Sequence, residues 1–221
     1  SIDDLTNGML LFYQQGLSTE ETEIRLNAAG KMAAISQQDL ATAVDQLTST
    51  MNAFGMNGED ATNVVDVFAK MAGKTATDVE ELATAMARTA SIAKNAGMTF
   101  EQTTAFIATM EETTRLSAEV IGNSLKSIIA RFQKLKADPD TLLEDGVNAN
   151  DVEKALKKAD VALRDTEGNF RNIGDVIMEL SGKWDTLDTN TQKYIATLAA
   201  GTQQSSNFIA LVSNNQSNID N

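Results

Sequence analysis

Apolar residues recur at alternating steps of three and four along most of this chain, whereas alternation with period two is confined to one short stretch. The three-four rhythm puts them on single helical faces, and polar capping patterns and glycines punctuate it. Ile2, Leu5, Met9 and Phe12 predict a helix that Gly16 stops. Ser18 with Glu21 three residues on opens a second, closed by Gly30. Ser36 with Asp39 begins a third, carrying Leu40, Val44, Leu47, Met51 and Phe54 up to Gly55. Asn57 with Asp60 begins a fourth, bearing Val64, Val67, Phe68 and Met71 up to Gly73, and Thr77 with Glu80 starts the run toward Gly97. Thr99 with Gln102 restarts a helix at about Phe100. Beyond a charged corner at Thr114, Arg115, Leu116 and Ser117, the residues Ile121, Leu125, Ile128, Phe132 and Leu135 form one stripe that must be buried. Gly122 lies on an adjacent strip one turn after Ala118. It costs about 1 kcal/mol of helix propensity, and a close helix-helix contact is the expected reason for its presence.

The texture changes after Leu135. Ala137, Asp138, Pro139 and Asp140 break the helix, and residues 144–151 read as a polar acidic loop. A short helix is predicted over residues 151–159. Residues 161–164 and 170–172 then flank a turn at Thr166, Glu167, Gly168 and Asn169, as a small β-hairpin would. Helical spacing returns through Val176, Ile177, Leu180 and Trp184; Asp188 or Thr189 caps a helix to Ala200, Gly201 breaks it, and a last helix covers residues 203–213. The expected fold class is therefore all-α, antiparallel helical hairpins in a bundle or solenoid-like array, with one small β-hairpin. Its expected organisation is N-terminal helical hairpins over 1–136, the acidic loop, short helix and β-hairpin over 137–172, and C-terminal helices of the same globular region over 173–221.

Composition narrows the chemistry. The 221 residues include one proline, no cysteine and no histidine, which removes disulfides, thiol nucleophiles, imidazole bases and the usual zinc ligands. No cofactor is expected. Eighteen basic against 31 acidic residues give a net charge of -13, which repels phosphate backbones and anionic membrane surfaces. No apolar run approaches the roughly 18 residues that a membrane span needs. The lack of an initiating Met and the polar finish at Asn221 are expected of a fragment of something longer.

The remaining constellations are weak as sites. Asp165, Glu167 and Asn169 around Gly168 resemble a calcium loop only superficially, because the glycine falls fourth and no glutamate stands at the twelfth position. A turn is expected there, with Gly168 as its structural residue. Glu111 and Glu112 point about 100° apart on a helix, so they cannot flank one bond, and a solvated face is expected for them. Lys126, Arg131, Lys134 and Lys136 form the densest basic cluster but spread around their helix, which favours intramolecular pairing and helix-dipole compensation. Arg115 sits at a corner where its planar fork could tie two carbonyls or a carboxylate. The methionines and Trp184 read as core.

Residues 114–132, TRLSAEVIGNSLKSIIARF, resemble the core segment of tail tape-measure proteins, especially those of phages infecting Gram-positive bacteria, in which an I-G-N-S-L-K-x-I-x-x-R run is typical. The similarity extends upstream through AKNAGMTFEQTTAFIA, and downstream to residues 163–177 and 199–212. Within it, Arg115, Gly122, Lys126, Arg131, Gly168 and Gly201 are the expected structural residues. The resemblance implies a structural protein of the virion, lying in the tail lumen after assembly in the bacterial cytoplasm, helping to set tail length and to deliver the genome. It implies contacts with tail tube protein, tail assembly chaperones, tail tip proteins and other copies of itself, and neither catalysis nor direct nucleic-acid binding. A helical protein-interaction adaptor and a peptidoglycan-cleaving domain are the rival readings. In an assembled tail the hairpins are expected to open at their turns and lie extended.

Overall fold

The computed structural model describes residues 16–133 and 149–215, together with Thr6, Asn7, Met9, Leu10, Phe12 and Tyr13, which are helical. The break at Pro139, the acidic loop before Ala149, and Leu135, Lys134 and Lys136 lie outside the described residues. Helices follow in the order α1 (Thr19–Ser36), α2 (Leu40–Phe54), α3 (Ala61–Ala72), α4 (Val79–Asn95), α5 (Phe100–Thr114), α6 (Ala118–Gln133), α7 (Ala149–Lys157), α8 (Ile173–Trp184) and α9 (Thr189–Asn214), with a short 3-10 turn at Gly58–Asp60. The all-α expectation holds.

Caps fix most of the starts. The Ser18 hydroxyl accepts from the Glu21 amide at 3.2 Å, Asp39 from Thr42 at 2.9 Å, and Asp188 from Asn190 and Thr191. At α5 the box is complete: Gln102 N–H donates to Thr99 Oγ1 while Thr99 N–H donates to Gln102 Oε1. Three signals were displaced. Helix α1 runs through Gly30 and ends at Gln37, whose φ of 57° terminates it in the left-handed region. Ser36 therefore closes α1, its hydroxyl bonded to Met32 O, and Asp39 caps α2. Helix α4 is capped by Asp78 with Glu81 rather than by Thr77 with Glu80.

The expected β-hairpin is not formed; a single antiparallel bridge joins Arg164 and Phe170, and no strand is present among the described residues. The flanks are too short. Upstream, Asp160 adopts φ 54° to end α7's turn, and Val161 N–H bonds back to Leu156 O. Downstream, Asn172 is already committed to capping α8 through the amides of Gly174 and Asp175.

Helix α5 is the axis of the packing. It contacts α3, α4, α6 and α9, and every residue of 103–111 is buried. A helix surrounded on all sides needs its polar residues satisfied internally, and its threonines do this: Thr103, Thr104 and Thr109 donate to the carbonyls of Thr99, Phe100 and Ala105, one turn back, at 2.8 to 2.9 Å. Phe100, at the start of α5, is wedged edge-on between Phe54 and Phe68, with ring centroids at 5.8 and 5.2 Å. A second aromatic group forms where Phe208 of α9 meets Phe132 and Trp184. These contacts join the N-terminal helices and the last helix into one continuous core.

Candidate functional site

Helix α6, packed against α4, carries three of the six residues expected to be structural, Gly122, Lys126 and Arg131. Gly122 is buried, and a Cβ built on it would lie 2.7 Å from Ala85 O and 3.0 Å from Ala85 Cα. Only a hydrogen fits between these backbones. Thr89, one turn after Ala85, donates from Oγ1 to Gly122 O at 2.9 Å and to Ala85 O at 3.1 Å. Farther along, Gln133 Nε2 donates to Asn95 O at 3.0 Å. Since both members of these pairs advance together, α4 and α6 run parallel, with α5 the antiparallel connection between them. The side chain of Ser124 turns the other way, accepting a bond from the buried Asn207 of α9 at 3.2 Å. Lys126 is exposed beside the α4 groove.

The charged corner forms at the end of α5. Arg115 takes φ 57° as the left-handed residue closing the helix, its amide bonded to Glu111 O at 2.9 Å. Its guanidinium donates to one carbonyl, Ala76 O, at 3.1 Å, and so ties the α5–α6 corner to the segment before α4. Inside this corner lies a group that sequence misread. Glu111 is 4% exposed, and neither carboxylate oxygen has a hydrogen-bond partner. Burial first, and then the negative charges of Glu81 and Asp78, push its carboxyl from an ordinary 4.5 to about 8. At neutral pH it is a neutral acid. The solvated face expected for Glu111 and Glu112 fails at Glu111, because α5 has neighbours on every side; a charged residue gave no pattern from which to read that.

The structure brings Arg131 and Gly201 together across a polar cleft of about 340 Å³, also lined by Ser127, Gln203 and Gln204. Gly201 has φ 75° and ψ 166° and kinks α9 at a buried position. Gly168 stands apart, at φ 87° in the turn after α7. There Asp165 Oδ1 accepts from the amides of Glu167 and Asn169 at 2.9 Å, and these bonds, that from the Asn169 backbone foremost, hold its carboxyl below the ordinary range. Its oxygens are spent on the turn. No cluster of acidic residues able to hold a metal ion is present among the described residues, and no described helix is long and apolar enough to cross a membrane. What the arrangement offers is packing geometry and surface, centred on the α4–α6 pair.

Comparison with known proteins bears on the same helices. The sequence matches the model of the family described as phage-related minor tail protein over residues 1–201. The chain belongs to this family. It is 28% identical over 153 residues to a "Tape measure protein" of Pneumococcus phage Dp-1, covering 69% of this chain and 13% of that relative. It is 20% identical over 185 residues to a "Probable tape measure protein" of Escherichia phage P2, covering 84% of this chain and 21% of the relative. The chain thus spans about an eighth to a fifth of the length of these curated relatives. No solved structure matches it.

Proposed function

We propose that this chain is a structural segment of a phage tail tape-measure protein, helping to set tail length and supporting tail assembly and genome delivery. The observation that carries this reading is the family match over residues 1–201, joined to two relatives that both bear the tape-measure name. The segment acts by shape and contact rather than by catalysis. Its place is the tail lumen, and its partners are tail tube protein, tail assembly chaperones, tail tip proteins and other copies of itself. An acidic surface suits that place, since a net charge of -13 does not retain passing phosphates.

How the segment contributes length follows from its packing. Drawn out as one continuous helix, a chain of this size would span roughly 330 Å at about 1.5 Å per residue. Folded, it has a radius of gyration of roughly 17 Å and is roughly 45 Å across. Opening the hairpins would strip α5 of α3, α4, α6 and α9. Each large buried side chain so exposed costs about 1.5 to 3 kcal/mol, and Phe54, Phe68, Phe100, Phe106, Phe132, Trp184 and Phe208 are all in the core. The packing therefore supports a retained globule over the extended arrangement expected from sequence. An in-frame deletion of the segment from its phage, with tail lengths measured by electron microscopy, tests both the role and the state.

A further inference from the structure

We propose that the groove between α4 and α6 is a docking surface for an acidic α-helix of a partner protein, one that carries two carboxylates one turn apart. The groove encloses about 470 Å³. Its walls are two parallel helices held unusually close at Gly122, and the small, exposed side chains of Ala87 and Ser91 are part of its lining. A third helix can lie along such a furrow.

The sequence run around Gly122 divides cleanly by role. Ile121, Leu125 and Ile128 are core, Gly122 makes the close contact, and Ser124 bonds to Asn207. Asn123 and Lys126 do none of this work. Both line the groove with exposed side chains, and neither side chain makes a hydrogen bond or ion pair among the described residues. Arg88 faces them from α4. Glu119 is one charged neighbour of Arg88, its carboxyl held below the ordinary range first by its own backbone amide and Ser117, and lastly by Arg88.

Charge and register select the occupant. Arg88 Cβ lies 3.1 Å from a Cβ placed on Gly122, so Arg88 is level with Gly122 along the groove, and Lys126 stands four residues farther on α6. The cations are therefore on opposite walls and about 6 Å apart along the axis. Carboxylates at i and i+4 of a docked helix match that spacing. A polyanion such as DNA brings many charges against a chain of net charge -13, whereas a helix with two carboxylates brings only the two that the nearby cations offset. The inference does not rest on the tape-measure reading, because it concerns the groove whatever the segment does to tail length.

The test uses the 221-residue chain, isotopically labelled, titrated by NMR with an alanine-based helical peptide bearing glutamates at i and i+4, and with its glutamine counterpart. The expected result is a set of shifts centred on Arg88, Ser91, Asn123 and Lys126 with the glutamate peptide only, weakening as salt rises. Binding should fall roughly tenfold in the double variant R88E/K126E, as expected for reversing two surface charges. Both residues are exposed, so circular dichroism of that variant should match the parent; if it does not, Lys126→Gln supplies the same comparison with smaller loss. Equal binding of the glutamine peptide, no binding of either peptide, binding unchanged in these variants, or stronger shifts at the same residues with a DNA duplex would each overturn the proposal.

Discussion

Replacing Glu111 by glutamine should make the stability of this protein less dependent on pH, with a size that the structure sets. The carboxyl has a folded-state value of about 8 against an ordinary 4.5, burial being the larger cause and Glu81 and Asp78 the next. Below the ordinary value the group is protonated in both states and contributes no difference. As pH rises from there, the unfolded chain loses its proton while the folded chain keeps it, so the unfolded state gains and stability falls. The loss is complete once pH passes the folded value. At about 1.4 kcal/mol per unit of pKa, it amounts to roughly 3 kcal/mol at pH 7 and approaches 5 kcal/mol above pH 8. Glu111→Gln removes the titration while keeping the shape. Its buried amide still lacks partners and costs about 1 to 3 kcal/mol, but that cost does not vary with pH. Urea unfolding followed by circular dichroism from pH 5 to 9 should therefore show the variant gaining on the parent by several kcal/mol across the range. A difference that stays constant from pH 5 to 9 would refute the reasoning, because it would mean that Glu111 is already solvated or paired.

The close contacts make further tests. Gly122→Leu should destabilise the fold by about 1 to 3 kcal/mol through overpacking, since even the first carbon meets Ala85 O at 2.7 Å; an unchanged melting temperature would show that α4 and α6 separate freely. Phe100→Ala should cost about 3 to 5 kcal/mol by opening a cavity between Phe54 and Phe68, read as a lower urea midpoint with an unchanged slope. Gly201→Ala should cost about 1 to 3 kcal/mol, because φ 75° with ψ 166° is a backbone region essentially reserved for glycine; equal or greater stability would mean that α9 runs straight through this point.

Local signals in the sequence translated into structure where chemistry is local. Thr99 with Gln102, Ser18 with Glu21, and Asp188 each cap the helix their spacing implies, because a side chain three residues from an orphan amide needs nothing else to be in place. Gly30 misled because a helix tolerates one glycine when tertiary packing holds both sides, and Ala28, Ala29 and Met32 around it are buried. The supposed β-hairpin misled in the opposite way: the turn at Gly168 is real, but a strand needs length on both flanks. The close approach at Gly122 was legible as a contact, whereas its partner was not. Ala85 and Thr89 carry the complementary signal, small residues one turn apart, yet nothing in their own sequence says that α4 faces α6 in parallel. Glu111 shows the limit most clearly. Its burial follows from helices distant in sequence closing around α5, a property of the whole assembly that no neighbouring residue encodes.

The central claim is that this segment is a folded structural unit of a tail tape measure, and tail length is its most direct readout. In an intact phage carrying the in-frame deletion, electron microscopy should find assembled tails shortened by a few tens of ångströms, the width of the lost globule. Shortening on the order of 300 Å would contradict the account, since only a chain drawn out as continuous helix could supply it, and tails of unchanged length would remove the segment from length setting altogether.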